Sequence, residues 1–65
     1  SMTITTGRLA NLTAGLECHK ISRDEMAAAL RSMRQSPERG ELLWRHAEAC
    51  RCVAAFERDL ARETA

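Results

Sequence analysis

The sequence predicts an all-α chain: an antiparallel helical hairpin or a three-helix mini-domain, dimerising into a four-helix arrangement. Three observations carry this. Eleven of the 65 residues are Ala, with no Tyr, one Pro and three Gly, a composition that favours helix over strand. Apolar residues recur every three or four positions on both sides of one strong break at Gln35-Ser36-Pro37, the period of an amphipathic helix. Fifteen large apolar side chains (seven Leu, three Met, two Ile, one Val, one Phe and one Trp) make a thin core for a chain this short, and a small thin core gains much from a partner.

Residues 1–65 read as a single small helical domain, with Ser1 ahead of Met2 an expression scar. Leu9, Leu12 and Leu16 open the first apolar stripe, with Thr5 or Thr6 as its cap. Met26, Leu30 and Met33 continue it, and positions 9, 12, 16, 19, 23, 26, 30 and 33 fit one heptad seam. A second start competes inside this stretch. Ser22 and Glu25 form a capping box, with Ile21 and Met26 as its staple. Two readings stand: one helix over 7–34, or two helices broken near Ile21.

Ser36 as N-cap, Pro37 at the first helical position and Glu38 behind it then start a helix reaching about Arg62. Its expected core row is Leu43, Ala47, Cys50, Ala54 and Ala61, widened by Val53, Phe56 and Leu60. A second row, Leu42, Ala49 and Phe56, recurs every seven residues, as the interface between two hairpins would.

Ten basic and nine acidic residues leave a net charge of +1, and no charged block is long enough for a nucleic-acid or acidic tail. Three Cys, two of them one residue apart, do not suit the disulfide framework of a secreted domain and point to a reducing cytoplasm. The apolar runs are far too short for a signal peptide or a membrane span.

His46 and Cys50 are i, i+4 neighbours and make half of a zinc site. Cys50 and Cys52, however, stand about 200° apart around a helix and cannot both ligate while it stays regular. No metal and no cofactor are expected. No nucleophile, base and oxyanion donor converge, so no enzyme is expected. Arg31, Arg34, Arg39 and Arg45 gather near the turn but alternate with Glu38, Glu41 and Glu48. That pattern suits carboxylate pairing as well as phosphate, so a DNA-binding regulator is the alternative rather than the leading reading. Trp44, the one Trp, stands beside Leu42 and Arg45 and is an obvious anchor. Leu42, Trp44, Arg45, Phe56 and Leu60 flank the expected seam and are the candidate partner-binding residues.

The order Leu9-Ala10-Asn11-Leu12-Thr13-Ala14-Gly15-Leu16-Glu17, Ser22-Arg23-Asp24-Glu25, Ser36-Pro37 and Trp44 resembles the N-terminal helical domain of anti-sigma factors. The resemblance covers residues 8–46. It implies a helical inhibitor that wraps a regulatory protein. The zinc-bearing members carry His-x-x-x-Cys-x-x-Cys, and His46-x-x-x-Cys50-x-Cys52 is one residue short of it. Together the residues and the resemblance lead to a cytoplasmic, homodimeric adaptor that inhibits or sequesters a protein such as a transcription regulator. A secretion-type helical chaperone is a further alternative.

Overall fold

A computed structural model describes residues 2–65, with side chains described from Gly7 onward; Ser1, read as a scar, lies outside the described residues. Two helices, α1 (Met2–Ser32) and α2 (Pro37–Thr64), are joined by residues 33–36 and pack against each other along their length. The Cα envelope is 51 × 14 × 14 Å, about the length of a 31-residue helix. Among the described residues there is no strand.

The single-helix reading of the first half holds, and the break near Ile21 does not occur. The helix also begins at Met2, ahead of the cap expected at Thr5 or Thr6. Leu9, Leu12, Leu16, His19, Arg23, Met26, Leu30 and Met33 are all half-buried or buried, so the heptad seam is continuous. The phase prevails over the internal capping box for a packing reason. A break would swing half the stripe away from α2, and stripe burial outweighs the roughly 1 kcal/mol a cap contributes. Ile21, at 58% exposure, faces away from half-buried Met26, so the two form no staple.

The turn follows its sequence signals closely. The Ser36 hydroxyl accepts a hydrogen bond from the Arg39 backbone N–H at 3.1 Å, and Pro37 opens α2. Arg39 reaches back and donates to the Leu30 carbonyl at 3.3 Å, which also accepts from the Met33 backbone N–H at 3.4 Å, so the end of α1 is tied to the start of α2.

On α2 Val53, Phe56 and Leu60 are inward as expected, but the rest of the expected core row is one residue out of register. The row that faces α1 is Leu42, His46, Ala49, Val53, Phe56 and Leu60, with Ala49 and Val53 buried. The expected core row lies beside it: Leu43 is 45% exposed, Cys50 and Ala61 are exposed, and Ala47 and Ala54 are half-buried. The Leu42, Ala49, Phe56 row, expected to bind a second hairpin, is therefore the internal seam. Both rows have helical period, and period alone does not choose between adjacent rows. Size does: the inward row carries Val53, Phe56 and two Leu, and bulkier side chains bury more area.

The core is thin. Leu16, Leu30, Ala49 and Val53 are the buried residues, and among the described side chains none is fully enclosed. At Gly15 the two helices approach closely. A Cβ placed there would stand 2.5 Å from Cε1 and 2.7 Å from Cζ of Phe56, so the ring lies directly on the α1 backbone. The His19 ring packs beside it, with centroids 5.1 Å apart and planes at 36°. At the open end Arg8 bridges the helices, its Nε 2.6 Å from Glu63 Oε1.

Candidate functional site

The outward face of the first half of α2 holds the most exposed large apolar side chain among the described residues. Trp44 is 68% exposed. Ser36 and Pro37 fix where α2 starts, and Leu42 and His46 turn inward on either side of Trp44, so position 44 is forced outward. The Arg51 guanidinium lies over the indole at 5.9 Å from its centroid, within range of a cation–π contact. Arg51 is itself paired with Glu48 one turn back. Arg45 donates to Glu41 Oε1 at 3.2 Å. The patch is an indole framed by two arginine–glutamate pairs, all on rigid helix.

The five candidate partner-binding residues divide. Trp44 and Arg45 are both exposed, about 100° apart around α2. Leu42, Phe56 and Leu60 are half-buried in the seam, where most of their surface meets α1. Sequence reading did not anticipate Arg51, whose signal is the i, i+7 spacing from Trp44, two turns along one face.

Two open grooves flank the hairpin. One, about 250 Å³, lies at the turn between Met33, Glu38, Glu41, Leu42 and Arg45. The other, about 480 Å³, lies near the open end between Gly7, Arg8, Asn11, Leu12 and Phe56. Neither gathers a nucleophile with a base. Gly15 and Phe56 were not linked by sequence reading. Their signal was a glycine at the edge of an unbroken helical seam, where Ala would serve the helix better.

His46 and Cys50 do converge, with Cys50 Sγ 4.0 Å from His46 Nδ1 and 3.9 Å from Nε2. Cys52 is half-buried and Cys18 exposed. Among the described residues no three His, Cys, Asp or Glu side chains come together as a metal site would require. Of the four arginines near the turn, Arg39 is committed to the Leu30 carbonyl and Arg45 to Glu41, while Arg31 and Arg34 are exposed. Among the described residues no helix is long and apolar enough to cross a membrane. No protein-family description, no curated protein and no solved structure matches this sequence.

Proposed function

We propose that the chain is a non-enzymatic helical adaptor that binds a regulatory protein through the outward face of α2 and inhibits or sequesters it. The observation that supports this is Trp44: a single large aromatic held in water on a rigid helix, with the Arg51 guanidinium over it at 5.9 Å. Trp and Arg are the residue types most enriched at the energetic centres of protein interfaces. Holding an indole exposed forgoes the apolar burial that a core so thin could have used. A transcription regulator is the partner class because of the resemblance to anti-sigma N-terminal domains. The same reading has the adaptor act in the cytoplasm as a homodimer of two hairpins.

The test uses the only indole in the chain. A protein retained by the purified adaptor is identified and titrated into it while Trp44 emission is followed. The expected result is a blue shift, with affinity reduced on the order of a hundredfold by Trp44→Ala. Unchanged affinity in the variant would exclude this face. Tight binding to arbitrary duplex DNA at about 50 mM salt, falling steeply as salt rises, would favour the DNA-binding alternative.

A further inference from the structure

We draw no further inference here: the strongest candidate, the flank of α2 lined by Leu43, Ala47, Cys50 and Ala54, is an unpartnered face of mostly small residues, and nothing in the structure shows what covers it.

Discussion

Two neighbouring rows on α2 have the same period and opposite fates. Leu42, Ala49, Val53, Phe56 and Leu60 line the seam with α1, whereas Leu43, Ala47, Cys50, Ala54 and Ala61, one residue out of phase, border solvent. They differ little in how apolar they look on a helical wheel. They differ in bulk, because the inward row has the only Phe and the only Val. In a two-helix protein each rod has a single neighbour, so only one row can be internal. The second borders solvent, and its residues other than Leu43 are small.

The sharpest way to break this comparison places one substitution on each row at adjacent positions. Ala49→Arg forces a long cation into a buried seam position and is expected to cost more than about 3 kcal/mol, enough to unfold a chain of this size. Cys50→Arg, next door, is expected to change the stability of the dilute monomer by less than about 0.5 kcal/mol. Urea titration followed by helical ellipticity reads both. Comparable losses in the two variants would mean that the rows are not distinct.

How far the rows could be read in advance differs between the helices. On α1 every position of the expected seam from Leu9 to Leu30 is half-buried or buried, as is Met33 just past its end, because these residues offer one continuous heptad stripe. The break foreseen at Ile21 failed because a capping box is a local signal, and packing along α2 acts over the whole rod. On α2 two rows compete, and the choice depends on what α1 presents at each level. That information is split between the helices and is invisible in either alone. The same applies to the candidate site. Trp44 and Arg45 could be picked out by residue type, but Phe56 and Leu60 fitted both the core and the partner-binding face, and Leu42 a second row, until the seam was known.

Truncation sharpens the comparison more gently. Val53→Ala, at the least exposed of the described positions, 4%, is expected to cost about 2 kcal/mol through lost burial and the cavity left behind. Leu43→Ala removes more carbon yet is expected to cost under about 1 kcal/mol in the monomer, because the residue is already 45% exposed. The two midpoints in urea, taken at a concentration where the wild type is monomeric, give the difference directly. The smallest effect belongs to the flank edge. Glu63→Gln weakens the Arg8 bridge at the open end and is expected to cost about 0.5 kcal/mol at low salt, vanishing at high salt. Thermal melts at two ionic strengths measure it.

The glycine beneath Phe56 has a consequence for the choice of row itself. Rolling α2 by one residue, about 100° around its axis, would carry Cys50 and Ala54 inward and lift the aromatic ring out of its seat. The seat exists only because Gly15 lacks a Cβ, at a cost to α1 of about 1 kcal/mol in helix propensity. A side chain there would do more than loosen the pair. It would remove the preference for one rotational setting of α2 and let the other compete, so that Trp44 would no longer point where it does. One absent methyl group in the first helix thus orients the second as a whole, and with it every surface the hairpin offers to another molecule.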